Sequence, residues 1–152
     1  RQHIDQRVVA NHFASDSSSC QLFKSVLKDQ SRGVMNGRIF IDRDAQRVSS
    51  MQLNHNLLLS SSAEADTKPE LEIHADDVKA NHGASIGRMD EDKLFYLQSR
   101  GIPRSEAVRI LAKAFVADIL MKIPNRICRQ FADRQMHEIL PGFSDMEREL
   151  AQ

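Results

Sequence analysis

The feature that most restricts how this chain can fold is a change in hydrophobic period close to Met89. From residue 1 to about residue 88, apolar and polar residues alternate, which is typical of strands with one buried face. After Met89 the apolar residues recur at about 3.6-residue spacing, the period of an amphipathic helix. A chain of 152 residues has about the size of one ordinary domain. We therefore predict a mainly β chain with α: a β-rich part over residues 1–88 and a small helical domain over residues 89–152.

The β-rich part contains short strand candidates with turn-forming segments between them. The candidates cover residues 21–27, 37–41, 52–59, 70–75 and 78–86. The polar run SSSAEADTKP at residues 60–69 is predicted to be a connection. Short strands that repeat without helices between them suit either a β-sandwich or a β-solenoid, and periodicity alone leaves both open.

The helical part begins with a recognisable cap, because Asp90 precedes two acidic residues in a first turn and Gly101 provides a stop. A second helix is predicted from near Pro103 to about Lys122, and a third from Pro124 to Pro141-Gly142. The second helix is apolar over much of its circumference, and such a helix needs cover on more than one side. It either lies inside a small bundle or is half covered by another protein.

Composition excludes several functions. The 21 basic residues balance the 21 acidic ones, so there is no basic footprint for nucleic acid or anionic lipid. No apolar run approaches the roughly 20 residues that span a bilayer. Cys20 and Cys128 are expected to be small buried hydrophobes in a reducing compartment. Because Arg1 leads directly into a strand-like pattern, we expect the chain to be the C-terminal part of something longer.

Residues 71–87, LEIHADDVKANHGASIG, place two histidines among strand-like alternation. His74 shares a face with Glu72 and is predicted to be wet. His82 shares a face with small apolar residues, Ala80 and Ala84 among them. An imidazole in that company is either a buried histidine with its hydrogen bonds met, or one that a ligand or metal can approach.

Enzyme signatures are missing from the sequence. There is no nucleophile elbow, phosphate-cradling glycine loop, paired CxxC or HExxH. A pair of carboxylates could still be assembled by folding, so a β-helix carbohydrate-active enzyme is one alternative. A homodimeric assembly module without a metal role is another.

Two blocks carry a family resemblance: LLLSSSAEADTKPELEIHADDVKANHGASIG at residues 57–87 and DEDKLFYLQSRGI at residues 90–102. They closely resemble the C-terminal part of SufD-type members of the SufB/SufD family of the SUF iron–sulfur cluster assembly system. The resemblance implies a right-handed parallel β-helix followed by a small helical domain. It implies a non-catalytic scaffold that pairs with SufB through the β-helix and binds the SufC ATPase through the C-terminal helices. It also implies the bacterial cytoplasm, or the plastid in a eukaryote.

The resemblance also suggests functional residues. In SufD-like sequences a cysteine stands two residues before the histidine that matches His82, whereas this chain has Ala80. His82 is therefore the candidate metal ligand, with thiolates and a carboxylate supplied by SufB. The chain alone is expected to hold no cofactor, and a cluster only transiently within the complex. A fragment with exposed edges is also expected to self-pair as a homodimer. The residues expected to meet SufC are Val108, Ile110, Ala114, Phe115 and Val116.

Overall fold

The computed structural model describes residues 2–139, with six strands followed by three helices. The strands are β1 His3–His12, β2 Ser18–Leu27, β3 Arg32–Ile41, β4 Val48–Leu58, β5 Glu64–Ile73 and β6 Val78–Arg88. The helices are α1 Glu91–Ser99, α2 Arg104–Met121 and α3 Arg126–Ile139. The chain divides into two compact units, one ending at Arg88 and the other beginning at Met89. The predicted stop at Pro141-Gly142, and residues 140–152 of the predicted helical domain, lie outside the described residues.

The strands form two parallel sheets of three. Sheet A has the order β1-β3-β5 and sheet B the order β2-β4-β6, so every strand pairs with the strand two places away along the chain. This finding corrects the prediction of a right-handed parallel β-helix: within residues 2–139, hydrogen-bonded ladders run inside each sheet and do not close into a solenoid. Alternation reports which face of a strand is buried, but not which strand lies beside it, so it could not fix the sheet architecture.

The inner faces of the two sheets pack against each other with unequal chemistry. Sheet A contributes a mostly apolar row from β3, and Ile39 and Ile41 are fully buried with Val48 and Ala75. The inward row of β4 is instead polar and nearly as buried: Ser50, Gln52, Asn54 and Asn56. Ser50, Gln52 and Asn56 of this row are hydrogen-bonded through their side chains, whereas both amide atoms of Asn54 are buried without a partner among the described residues.

Gly37 of β3 makes room for one member of that row. A Cβ atom built on Gly37 would overlap the side-chain amide of Gln52, its Cδ and Nε2 lying 2.5 and 2.6 Å away. Gln52 is 2% exposed, and its Nε2 donates to Oε1 of Gln21 at 2.5 Å. The amide of Gln52 is therefore enclosed by the Gly37 backbone on one side and by Gln21 on another.

The turns between strands are fixed by side chains. Arg47 has a left-handed backbone with φ of 56°, and its guanidinium donates two hydrogen bonds of 2.7 Å to the carboxylate of Asp16. Nearby, the ring of His12 bonds Ser17 at 2.7 Å and Ser19 at 2.9 Å. Ser19 in turn bonds Ser50 at 2.8 Å, so imidazole and hydroxyl groups link β1, β2 and β4.

The segment predicted as a connection at residues 60–69 is wrong from Glu64 onward, where β5 begins. Its alternating charges and Pro69 resemble a loop in sequence. The N–H groups of Glu64 and His74 donate to Ser31 and Ile41, so even-numbered residues of β5 face β3. Pro69 is odd-numbered and its nitrogen faces the free edge, where a strand tolerates proline.

The helical unit follows its sequence signals closely at α1. The Asp90 carboxylate accepts hydrogen bonds from the backbone N–H groups of Asp92 and Lys93, and Gly101 adopts φ of 84° just after the helix. The predicted cap is thus confirmed. Arg104 joins α2 to α1 through two bonds to Glu91, at 3.0 and 2.9 Å.

Both cysteines depart from expectation. Cys20 and Cys128 are exposed free thiols rather than buried hydrophobes. Cys20 points away from the inner row of β2, and Cys128 lies on α3 beside Ile127, which is 76% exposed. Among the described residues, no helix is both long and apolar enough to cross a membrane.

Candidate functional site

The free edge of sheet B is the strand that carries His82. In β6, Val78, Ala80, His82, Ala84 and Ile86 pair in register with the inward residues of β4. Ala80 is half-buried and His82 is exposed. The alternative of a buried histidine is therefore wrong: His82 lies on the last strand of sheet B, and no further described strand pairs with β6 beyond it.

The backbone of β6 is open to pairing at the same residues. The N–H groups of Ser49 in β4 and of Leu59 just after it donate to Ser17 and Leu27 on the β2 side, so the even-numbered residues of β4 face β6. The odd-numbered residues of β6 meet them, and the N–H and C=O groups of Ala80, His82 and Ala84 point to the free edge.

The two free edges on this side of the unit differ in chemistry. The edge of β5 carries Pro69, which has no N–H donor, between the paired charges of Lys68 and Glu70. The edge of β6 has no Asp, Glu, Lys or Arg from residue 80 to residue 87, and Ile86 is 48% exposed. Proline and charge are common devices that keep an edge from pairing. The edge of β5 is thus protected from pairing with another strand. The edge of β6, the receptive edge, can accept one.

Two rows of side chains cross sheet B and end at this edge. One row is Ser19, Ser50 and Ala80, and the other is Gln21, Gln52 and His82. The inner pairs are hydrogen-bonded, at 2.8 Å between the serines and 2.5 Å between the glutamines. At the edge, the first row ends in a methyl group and the second in an imidazole.

These residues do not form a metal centre by themselves. Within residues 2–139, no group of three or more His, Cys, Asp or Glu side chains is placed to hold an ion. Ala80 offers no ligand atom, so His82 can contribute one nitrogen and its neighbours none. Soft iron–sulfur sites depend chiefly on thiolates, and Ala80 supplies none beside His82.

His74 belongs to other surroundings, as its predicted wet face implies. It follows β5, bonds the Glu72 carboxylate at 3.1 Å, and packs against Phe40 with ring centroids 5.6 Å apart and ring planes tilted by 57°. The hydrogen bond from His74, aided by the guanidinium of Arg38, lowers the pKa of Glu72 below its ordinary value. His74 therefore lies just after the edge strand of sheet A, whereas His82 lies in sheet B.

Sequence reasoning missed the polar rows. Gln21 and Gln52, like Ser19 and Ser50, are identical residues 31 positions apart and pair in register. A comparison of the chain with itself at that offset would have revealed both pairs. Their burial would still have been unexpected, because an alternation of polar with apolar residues normally marks the polar set as exposed.

Comparison with known proteins assigns the family. Residues 1–115 match the family described as SUF system FeS cluster assembly, SufBD core domain. The chain belongs to the SufBD family. The match includes all six strands and α1 and extends into α2, so both His82 and the receptive edge lie inside it.

Relatives of this SufBD chain include proteins named SufD and SufBD family proteins. It is 38% identical over 138 residues to the iron–sulfur cluster assembly protein SufD of Escherichia coli, covering 91% of this chain and 33% of that protein. It is 43% identical over 104 residues to a SufBD family protein of Synechocystis, covering 68% and 23%. It is 36% identical over 138 residues to the chloroplastic protein ABCI7 of Arabidopsis thaliana, covering 90% and 29%. The chain is thus SufD-like, and it spans about a third or less of the length of these relatives.

In this SufBD chain, the five residues of α2 that are predicted to contact a partner differ in burial. Val116 is 8% exposed and packs inside the helical unit with Ala107 and Ala112. Val108, Ile110 and Phe115 are half-buried, and Ala114 is exposed. Some apolar residues of α2 therefore pack inside the helical unit, and the others reach its surface.

Proposed function

We propose that this chain is a non-catalytic, SufD-like scaffold part on which iron–sulfur clusters are assembled together with SufB and SufC. The observation that carries the proposal is the receptive edge of β6 with His82 at its centre. The Escherichia coli relative is named as an assembly protein, which supports a role in assembly rather than turnover.

Pairing with SufB would use the backbone of β6. An incoming strand would satisfy the N–H and C=O groups of Ala80, His82 and Ala84, as in strand addition to an open edge. The exposed side chain of Ile86 would add apolar contact. A homodimer through the same edge is the second candidate, because an open edge accepts any complementary strand. The mass in solution, measured with and without SufB, separates the two.

Docking of the SufC ATPase would use α2. Ala114 is exposed and Phe115 is half-buried, so both have apolar surface that a partner could cover. We expect Phe115→Asp to lower SufC retention in a pull-down, with buried Val116 left intact.

His82 would bind the iron–sulfur cluster during its assembly, as a substrate of the complex and not as a resident cofactor. Its imidazole would offer one nitrogen at the edge, and SufB would supply the thiolates and the carboxylate that Ala80 and its neighbours lack. We further propose a plastid location for a eukaryotic chain, supported by the chloroplastic relative, and the cytoplasm for a bacterial one.

The test is copurification followed by iron analysis. The protein carrying this chain should copurify with SufB and SufC, and His82→Ala should lower the iron bound per complex without lowering copurification. His74→Ala is the matched control, because His74 follows the edge strand of sheet A, and this variant should leave iron loading unchanged. Equal iron loading in His82→Ala and wild type would contradict the role of His82, and failure to copurify would contradict the scaffold role.

A further inference from the structure

Three turns pass from sheet A to sheet B and are hydrogen-bonded one to the next: residues 13–17, 42–47 and 74–77. Ser15, Gln46 and Asp77 occupy matching positions in the first, second and third turn, 31 residues apart. The third turn leads directly into Val78, the first residue of β6. It therefore adjoins the receptive edge.

A ladder of hydrogen bonds runs through these matching positions. The N–H of Gln46 donates to Oγ of Ser15 at 3.0 Å. In the same way, the N–H of Asp77 donates to Oε1 of Gln46 at 3.0 Å. The first and second turns thus each offer a side-chain oxygen to the backbone N–H at the matching position of the following turn.

Backbone bonds between the turns run in the opposite direction. The N–H of Asp16 donates to the C=O of Gln46 at 2.9 Å, and the N–H of Arg47 donates to the C=O of Asp77 at 2.6 Å. The peptide unit between Asp77 and Val78 is trans, so its C=O and N–H point to opposite sides. Because the C=O of Asp77 points back to Arg47, the N–H of Val78 points away from the other turns.

The Asp77 carboxylate is the next acceptor in this ladder. Asp77 is exposed, and within residues 2–139 the structure gives its carboxylate no hydrogen-bond donor. Its charge does act on Arg47, whose pKa is raised mainly by the hydrogen bonds to Asp16 and to a smaller extent by Asp77. The third turn therefore presents an acceptor, the carboxylate of Asp77, beside an outward donor, the N–H of Val78.

We propose that the Asp77 carboxylate and the N–H of Val78 form a two-point docking site for one backbone residue of the SufB segment that pairs with β6. That residue would donate its N–H to Asp77 and accept from Val78 with its C=O. Gln46 binds the first turn in this manner, through its N–H to Ser15 and its C=O to Asp16. The inference rests on the proposed pairing with SufB and adds a contact to it.

The chemistry of the ladder supports an external partner for its last member. Ser15 and Gln46, which accept bonds from within the chain, carry neutral oxygens. Asp77 carries a charged one, which water solvates while the residue is exposed. A hydrogen bond from a backbone N–H to a carboxylate is also roughly twice as strong as one to a neutral oxygen. The charge is therefore suited to a contact that forms only when a partner arrives.

The test measures the dissociation constant of SufB for the protein that carries this chain. Asp77→Ala removes the acceptor, and we expect it to weaken binding about tenfold, the effect of one hydrogen bond to a charged group. Asp77→Asn keeps an oxygen that can accept the bond, so its loss should stay below about threefold. Equal weakening by the two variants would overturn the proposal, because it would assign the effect to charge alone.

Asp76→Ala is the matched control. Asp76 is exposed and carries the same charge, but it stands one position outside the ladder, so SufB should bind this variant as it binds wild type. The urea midpoint of the unbound protein should be the same in wild type and all variants. Equal weakening by Asp76→Ala and Asp77→Ala would overturn the proposal. Tighter binding by Asp77→Ala would overturn it too, since Asp77 would then be a charge that deters pairing.

Failure of this inference is distinguishable from failure of the proposed function. If the wild-type protein does not bind SufB, the pairing itself is absent and both proposals fall. If wild type and Asp77→Ala bind SufB equally well, only the docking role of Asp77 is lost. The receptive edge of β6 then remains the proposed contact.

Discussion

At the scale of single residues, Gly37 and Gln52 are so closely packed on the inner face that a Cβ atom on Gly37 would overlap the Gln52 amide. The interior of a protein is close-packed, and an extra methyl group forces neighbours out of their rotamers. Because the neighbour here is an amide that is 2% exposed and hydrogen-bonded to Gln21, it has little freedom to give way.

We therefore expect Gly37→Ala to destabilise the chain by about 1–3 kcal/mol, the usual cost of overpacking a core. The measurement is the free energy of unfolding in urea. Gly87→Ala is the control, since nothing lies within 4 Å of a Cβ built there, and its change should stay within about 0.5 kcal/mol. Equal effects at the two glycines would mean that Gln52 moves freely.

The pair of Asp16 and Arg47 makes stability depend on pH. The hydrogen bond from Arg47, with its positive charge, lowers the pKa of Asp16 below the ordinary value. A carboxyl with a lowered folded pKa adds stability above its unfolded pKa and loses it as pH falls through the folded pKa. The sign is therefore loss of stability in acid, below about pH 4.

Asp16→Asn should accordingly lower the urea midpoint at pH 6 and should lower it less, or not at all, at pH 2.5, where the wild-type carboxyl is protonated. The effect is expected to be small because both side chains are more than half exposed. In an Arg47→Gln background the pH dependence of the Asp16→Asn effect should disappear. Persistence of that dependence in the background would assign it to another partner.

At the scale of elements, the contrast between the edges of β5 and β6 gives a matched pair of substitutions. Ala84 of β6 and Thr67 of β5 both direct their backbone N–H groups to a free edge. Proline at either position removes an outward donor and leaves the inner ladder bonds in place.

Ala84→Pro should abolish copurification with SufB, whereas Thr67→Pro should preserve it, because the edge of β5 is already interrupted by Pro69. Circular dichroism and thermal unfolding check that both variants fold. Loss of SufB from both variants alike would indicate a general effect of proline, and retention by both would place the interface elsewhere.

The ends of helices were predicted best where one residue determines the structure of its own turn. Asp90 predicted the start of α1 because its carboxylate bonds the next turn, and Gly101 predicted the stop because its backbone is left-handed. The strand of His82 was predicted together with the residues on the same face, because alternation along one strand does not depend on which strands lie beside it. β5 was missed from Glu64 to Pro69 because its alternating charges and its proline resemble a loop in sequence.

At the scale of the whole molecule, the family match reaches residue 115 and covers the sheet unit entirely. The rows that end at Ala80 and His82 therefore lie in the matched part, and most of α3 lies beyond it. The SufBD assignment accordingly bears most directly on the sheets, whereas docking by the helices depends on experiment.

The sequence by itself determined the strand and helix periods, the cap at Asp90 and the family, because these depend on residues close in the chain or on the order of long blocks. Only the tertiary structure decided that strands pair two places apart in two sheets, that His82 is exposed, and that a buried glutamine stands beside it. Those facts depend on which strand lies next to which and on where a sheet ends. The alternation of polar and apolar residues indicates neither the neighbouring strand nor the end of the sheet, because it describes one strand at a time.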